Sequence, residues 1–154
     1  MVLSKKSIYG LKALLNLARN PERGQALIAT LAEEERIPKK FLEAILLALK
    51  NGGVLSSRIG KGGGYSLLIP ARSLTIGKII RILEGELAPV PCLNPTNTLR
   101  CDECNDVASC GIRLVMADVQ HSISAIVDTV TLAEVIERSD AMAQAQNKVF
   151  DYCI

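Results

Sequence analysis

The sequence predicts a mainly α-helical fold with one small β-hairpin and a long helix in its carboxy-terminal half. One observation behind this prediction is a series of segments whose apolar residues recur at three- and four-residue steps, the period of one helix face. Another is a pair of short β-prone runs separated by the glycine-rich segment 58–64. A chain of 154 residues, 49% of them hydrophobic, can bury a core of ordinary size.

Three helices are expected in the first third of the chain. Ser4 is placed to cap the first, which Asn20-Pro21 ends. A second, short helix is expected over residues 25–34. Pro38 suits the first position of a third helix, because its missing N–H would be unpaired there, and this helix should stop before Gly52-Gly53.

The hairpin follows the third helix directly. Its strands are expected at residues 54–57 and 65–68, with a flexible basic tip between them. Two helices joined by a tight turn outline a helix-turn-helix. A helix-turn-helix followed by a basic hairpin predicts a winged helix.

The second half of the chain divides into a helix, a loop and two further helices. Ser73 or Thr75 should start a helix that Gly85 ends. After a loop to residue 110, a long helix over 111–130 shows an apolar seam of the kind that packs against a partner helix, which we expect to be the dimerisation helix of a homodimer. The seam consists of Ile112, Val115, Val119, Ile123 and Ile126. Thr131 and Glu134 form a capping box for a short helix to Arg138, with a mobile or loosely helical tail beyond it.

The predicted organisation therefore has four parts. Residues 1–85 form a winged-helix DNA-binding domain and residues 86–110 a cysteine-rich loop. Residues 111–138 hold the dimerisation helix and the short helix, and residues 139–154 are the tail.

The charges are distributed unevenly along the chain. Residues 1–83 hold fourteen Lys and Arg against five acidic residues, whereas residues 84–154 hold four against eleven. A basic first half is expected if that half meets a polyanion, although solvated helix faces can also differ in sign by chance. No apolar run reaches the roughly 20 residues of a membrane helix. The first helix is amphipathic rather than a signal peptide, so we expect a cytoplasmic protein without a small-molecule substrate.

The predicted DNA-binding surface combines the third helix and the hairpin. Lys39 and Lys40 lie in the first turn of the helix, where recognition helices approach the major groove. Glu43 either accepts a hydrogen bond from a cytosine amino group or forms an ion pair with one of these lysines. The predicted contact residues are Lys39, Lys40, Glu43, Ser57, Arg58, Lys61, Gly62, Gly63 and Tyr65.

The glycine-rich tip could also be interpreted as a nucleotide-phosphate loop. It lacks the spacing of that motif and connects strand to strand, so no helix amino terminus is presented to phosphate. We therefore favour contact of the tip with the minor groove and the DNA backbone.

Four of the five cysteines fall within one polar loop. Cys92, Cys101, Cys104 and Cys110 have the spacing C-x8-C-x2-C-x5-C. In a cytosolic chain this pattern indicates metal ligation rather than disulfides, and thiolates suit an iron-sulfur cluster or zinc. Structural zinc sites more often pair two CxxC knuckles, whereas iron-sulfur ligation tolerates irregular spacing. An iron-sulfur cluster is therefore preferred.

Two alternatives remain for the cysteines. The same scaffold could be switched by thiol oxidation or by zinc, because CxxC serves either chemistry. A small thiol oxidoreductase using Cys101 and Cys104 is disfavoured, since the βαβ setting of such enzymes is missing. No enzymatic activity is expected. His121 on the long helix and Cys153 in the tail are interpreted as bystanders.

With these features in place, residues 2–138 resemble the Rrf2 family of bacterial transcription regulators. The resemblance lies in Tyr9-Gly10-Leu11-Lys12-Ala13-Leu14-Leu15, Ile37-Pro38-Lys39-Lys40-Phe41-Leu42-Glu43, Gly62-Gly63-Gly64-Tyr65 and Ile82-Leu83-Glu84-Gly85. It implies a homodimer that binds operator DNA through the winged helix. It also implies a 2Fe-2S or 4Fe-4S cluster whose state changes DNA affinity, with Cys92, Cys104 and Cys110 matching the family's cysteines and Glu43 its base-discriminating glutamate.

The chain departs from the family pattern at several positions. Arg113 stands where some members have a histidine ligand, and Ile8 where others have an aspartate. Cys101 is additional to the three-cysteine pattern, and we predict it to be the fourth ligand. Ala44 replaces a glutamine and Ile59 an arginine of the wing, so the operator sequence cannot be transferred from the family.

Overall fold

The computed structural model describes residues 3–60, 62–96 and 106–151 of the chain. Within these ranges it contains six α-helices and one antiparallel hairpin, which confirms the predicted fold class. The elements are α1 (Lys5–Arg19), α2 (Ile28–Glu34), α3 (Lys39–Asn51), β1 (Leu55–Arg58), β2 (Gly64–Leu67), α4 (Ile76–Glu84), α5 (Gly111–Val127) and α6 (Leu132–Asp151).

The core lies where α1, α3, α4 and the start of α6 meet. Leu14, Leu46, Ile79 and Leu132 are fully buried in one cluster, one from each of these helices. A Cβ at Gly10 would overlap the side chain of Leu83, so glycine permits the close approach of α1 to α4. This packing fixes the orientation of α3 on the winged helix.

The segment before α2 corrects the predicted start of the second helix. Residues 25–27 are not helical, because Ala26 pairs with Tyr65 through two backbone hydrogen bonds of 2.9 Å. The helix starts at Ile28 instead. The hairpin is also shifted by one residue, with Arg58 paired to Gly64. Sequence periodicity could not show the bridge from Ala26 to Tyr65, which joins residues distant in the chain.

The carboxy-terminal helices differ from the prediction in length. The α5 helix ends at Val127, and α6 continues to Asp151, well past Arg138. Arg19 of α1 holds this extension by hydrogen bonding to Ser139 and pairing with Asp140 at 2.8 Å. The capping box is confirmed, since Thr131 N–H donates to the Glu134 carboxylate at 2.8 Å and Glu134 N–H to Thr131 Oγ1 at 3.2 Å.

The described helices fall short of what a membrane-spanning helix needs. Across residues 3–60, 62–96 and 106–151, none of the helices combines the length and hydrophobicity that a bilayer crossing requires.

A polar clamp joins the winged helix to the end of α5. Arg81 of α4 makes a bidentate contact with Asp128, in which Nη2 donates to Oδ2 at 2.9 Å and Nη1 donates to Oδ1. The backbone adds two links, from Ile76 N–H to the Val130 carbonyl and from Leu132 N–H to the Leu74 carbonyl. The carboxy-terminal end of α5 is therefore tied to the winged helix by side chains and backbone together.

This clamp predicts a loss of stability on acidification. Hydrogen bonds from Arg81 hold the pKa of the Asp128 carboxyl below its ordinary value of 3.8. A carboxyl whose pKa is lower in the folded state stabilises the protein above its unfolded-state pKa, and this contribution is lost as the pH falls below that value. We expect Asp128→Asn to lower the free energy of unfolding at pH 7 by at most about 1 kcal/mol, because the pair is partly exposed.

Urea unfolding at pH 7 and at pH 3 measures this effect. The difference between wild type and Asp128→Asn should shrink at pH 3, while Asp118→Asn, an exposed position on α5, should leave stability unchanged at both. An equal cost of Asp128→Asn at both pH values would contradict the assignment.

Candidate nucleic-acid interface and cysteine site

The candidate recognition surface lies on α3, which has one buried face and one exposed face. Leu42, Ile45, Leu46 and Leu49 are buried. The opposite face is exposed and carries Lys39, Lys40, Glu43, Ala44 and Leu47. Because Pro38 caps the helix and its carbonyl accepts from the Phe41 and Leu42 N–H groups, both lysines lie in the first helical turn.

Phe41 is not part of the buried face of α3. Its side chain is 40% exposed, and its ring packs edge-on against Tyr9 with 5.7 Å between the ring centroids. The aromatic pair thus joins α1 to the first turn of α3 at the surface and helps to orient the lysine-bearing end of the helix.

The hairpin is fastened to the helix-turn-helix next to this face. The two hydrogen bonds between Ala26 and Tyr65 attach β2 to the segment before α2. Gln25 Nε2 also donates to Ser66 Oγ at 3.0 Å. A Cβ at Gly64 would overlap the Ala26 backbone, so only glycine permits this approach. The wing is therefore held at a fixed position beside α3.

A groove of about 380 Å³ separates the wing from the first turns of α2 and α3. Five of the predicted contact residues line it together, namely Lys39, Glu43, Ser57, Arg58 and Tyr65. Within the described part of the chain, Glu43 forms no ion pair with Lys39 or Lys40. Its carboxylate is thus available to accept a hydrogen bond from a ligand in the groove.

The other predicted contact residues have different environments. Gly62 is exposed, whereas Gly63 is buried and its N–H donates to the Gly60 carbonyl at 2.9 Å, which closes the tip. Lys40 is exposed on α3 outside the groove lining. Lys61 lies outside the described residues.

Five groove residues were not predicted as contacts from the sequence. Leu27, Ile28 and Ala29 line the groove because the chain is extended before α2, Ile59 lines it from the wing tip, and Gly64 lines it from the start of β2. The sequence signals for Ile59 were an apolar residue within a polar, glycine-rich loop and its replacement of a wing arginine of the family.

Two of the four candidate metal ligands lie in the described structure. Cys92 sits in a short 3-10 turn, Pro91–Leu93, that packs against α5. Cys110 caps the amino terminus of α5. Both cysteines are half-buried. Cys101 and Cys104 lie outside the described residues, and among the described residues no group of three or more metal-binding side chains is assembled.

The residues on either side of Cys110 are an ordered turn before it and, among the described residues, an unpaired N–H donor after it. Asp106 shapes the turn before it by accepting hydrogen bonds from the N–H groups of Ala108 and Ser109 and from the Ser109 hydroxyl. These hydrogen bonds hold the pKa of Asp106 below its ordinary value. Arg113 follows one turn later, with a buried Nε that has no hydrogen-bond partner among the described residues. Thiolates together with an unpaired N–H donor fit an iron-sulfur cluster, whose sulfur atoms accept hydrogen bonds.

The predicted dimer seam is uncovered in the single chain. No residue of α5 is buried. Ile112, Val115, Val119 and Ile126 are exposed, by 70% in the case of Ile112, and Ile123 is half-buried. Such a contiguous apolar stripe is unusual on a monomer surface.

A helix-turn-helix with an exposed basic recognition helix and a wing fixed beside it defines a winged-helix DNA-binding transcription regulator. The Rrf2 family model, described as an iron-dependent transcriptional regulator, matches residues 3–138. The chain therefore belongs to the Rrf2 family, as its sequence motifs indicated, and is a transcription regulator rather than an enzyme.

Individual relatives agree with this assignment. The chain is 40% identical over 146 residues to an Rrf2-like HTH-type transcriptional regulator of Rhodobacter capsulatus, covering 93% of this chain and 97% of that protein. It is similar to the solved structure of CymR, the global cysteine regulator of B. subtilis, with a TM-score of 0.72, 26% identity and coverage of 90% and 98%. It is also similar to T. potens IscR, with a TM-score of 0.70, 27% identity and coverage of 90% and 88%.

If this surface binds DNA, Lys39 is expected to contact a phosphate. We expect Lys39→Ala to weaken binding to duplex DNA about tenfold and to reduce the slope of log affinity against log salt by about one, because one phosphate contact is lost. Lys50→Ala, an exposed lysine at the other end of α3, is the matched control and should change neither quantity. Fluorescence anisotropy across a salt series measures both, and equal effects of the two substitutions would contradict the placement.

Proposed function

We propose that the chain is a homodimeric regulator that senses iron-sulfur status, redox stress or nitric oxide through a cluster ligated by Cys92, Cys101, Cys104 and Cys110. The observation that carries the proposal is the packing of the Cys92 turn against α5, the helix that Cys110 caps. When bound, the cluster would supply a centre that reacts with oxidants and nitric oxide. The description of the family as iron-dependent supports iron over zinc.

The same geometry suggests how the cysteine site controls the affinity for DNA. Cys110 lies at one end of α5, and the clamp from Arg81 to Asp128 lies at the other. Releasing the thiols would free the start of α5, while its far end stays tied to the winged helix. A shift of the long helix would then change the separation of the two recognition helices of a dimer, which must match half-sites about 34 Å apart.

Dimerisation through α5 is supported by its exposed seam. A second copy would cover the apolar side chains at about 25 cal/mol for each Å² removed from water. The clamp between Arg81 and Asp128 would then hold each DNA-binding domain at a fixed angle to the shared helix pair. The duplex operator and a second copy of the chain are thus the proposed partners.

Anaerobic purification with iron, sulfide and zinc analysis tests the proposed cofactor. We expect a coloured protein with sulfur-to-iron charge-transfer absorption and with iron and sulfide in equal amounts. A colourless protein containing stoichiometric zinc would contradict the cluster and leave the DNA-binding function untouched.

The second candidate is the same regulator switched by thiol oxidation or zinc. The observation in its favour is Cys110 at the amino terminus of α5, where the helix dipole stabilises a thiolate. CymR, the global cysteine regulator, also shares the fold. Metal analysis of the purified protein separates the two candidates.

A further inference from the structure

The tip of the wing carries one large apolar side chain that no part of the described structure covers. Ile59 is 97% exposed. It directly follows β1, so it starts the five-residue loop that crosses to Gly64. Isoleucine is the only large apolar residue in this loop, whose other members are three glycines and a lysine. Covering such a side chain with a ligand would yield roughly 1.5–3 kcal/mol.

The surroundings of Ile59 identify the ligand as DNA. Ile59 lines the same groove as Lys39 and Glu43 of the recognition helix, and Arg58 precedes it with an exposed guanidinium. The hydrogen bond from Gly63 N–H to the Gly60 carbonyl closes the tip next to Ile59. A wing beside a recognition helix in the major groove lies next to the adjacent minor groove, which is about 6 Å wide and which a single apolar side chain can enter.

The chemistry of the minor groove turns this contact into a preference for one class of base pair. A·T and T·A pairs present only acceptors there, whereas G·C adds the guanine N2 amino group as a donor. An aliphatic side chain cannot accept a hydrogen bond from that amino group, and covering the group unpaired costs about 1–3 kcal/mol. Against an A·T pair the same side chain makes favourable dispersion contacts.

We propose that Ile59 contacts the floor of the minor groove and selects A·T over G·C pairs beside the recognition helix by excluding the guanine amino group. The proposal rests on DNA binding by the winged helix. Unlike an arginine at the wing tip, Ile59 neutralises no phosphate and releases no counterion. Its contribution to affinity is therefore independent of salt, whereas that of the adjacent Arg58 is not.

Binding to a set of related duplexes tests this inference. Anaerobically purified full-length protein first selects its preferred duplex from a random-sequence pool. An A·T pair flanking each half-site is then replaced by G·C, or by inosine·C, which has the major-groove edge of G·C but lacks the N2 amino group. We expect G·C to weaken wild-type binding roughly tenfold and inosine·C to restore it to within about twofold.

Substitutions at two adjacent wing residues distinguish the base-pair preference that Ile59 provides from the phosphate contact that Arg58 provides. Ile59→Ala should bind A·T and G·C duplexes equally and keep the wild-type salt slope. Arg58→Ala should keep the discrimination and reduce the salt slope by about one.

The proposal is overturned if wild type tolerates G·C at every flanking position, if inosine·C is as poor as G·C, or if Ile59→Ala discriminates as wild type does. Each of these results leaves DNA binding itself intact. Failure of the wild-type protein to bind any duplex would contradict the DNA-binding function and this inference together.

Discussion

Cys110→Ala is expected to abolish the charge-transfer absorption of anaerobically purified protein and to reduce its iron and sulfide content to near zero. The reason is that a cluster with three remaining thiolates loses a covalent ligand that lies at the start of α5. Iron analysis and the absorption spectrum measure the loss. Because Cys110 is half-buried and lies outside the hydrophobic core, the variant should still fold.

Cys153→Ala is the matched control for this experiment, because it removes a cysteine outside the predicted ligand loop. It should keep the wild-type spectrum. Full iron and sulfide in Cys110→Ala, or an equal loss in both variants, would contradict the assignment of the loop as the metal site.

Leu46→Ala is expected to lower the free energy of unfolding by about 2–5 kcal/mol, because Leu46 is fully buried and its truncation leaves a cavity between α3 and the core. Leu47→Ala, one residue further along α3, removes a side chain that is 51% exposed and should cost under about 0.5 kcal/mol. Urea unfolding of both variants at one protein concentration and one cluster loading measures the difference.

This pair of variants tests the orientation of α3. If both substitutions were equally costly, α3 would not present the face with Lys39 and Glu43 to solvent, and the proposed recognition surface would be misplaced.

Local patterns predicted the parts of the fold that local interactions determine. The three- and four-residue periodicity located α1, α3 and α4, and the capping residues Ser4, Thr75 and Thr131 marked real helix starts. Each cap works through a hydrogen bond or turn within a few residues, which a sequence displays directly.

The misplaced elements depend on contacts between distant residues. The start of α2 moved because Ala26 bonds to Tyr65. The tail after Arg138 became helical where Arg19 reaches Ser139 and Asp140. Neither contact has a local signature. Alanine and glutamine, which dominate the first half of this extension, have high helix propensity, so the tail needed only a few such contacts to order.

The sequence indicated which residues belong to the candidate site, but it did not indicate how they are arranged in space. The sequence indicated Lys39, Glu43 and Arg58 as DNA contacts, and the structure places them around one groove. The sequence could not indicate that the N–H of Gly63 donates to the Gly60 carbonyl and closes the tip. It also could not indicate that the side chain of Ile59 is exposed beside the groove. Both features depend on how the hairpin closes, which composition alone does not determine.

The most direct test of the account compares the DNA affinity of cluster-loaded protein with that of protein stripped of metal under the same anaerobic conditions. Fluorescence anisotropy with the selected duplex should show at least about a tenfold difference, which corresponds to roughly 1.4 kcal/mol of coupling between the two sites. Identical affinities across the whole salt series would contradict the claim that the cysteine site governs the winged helix.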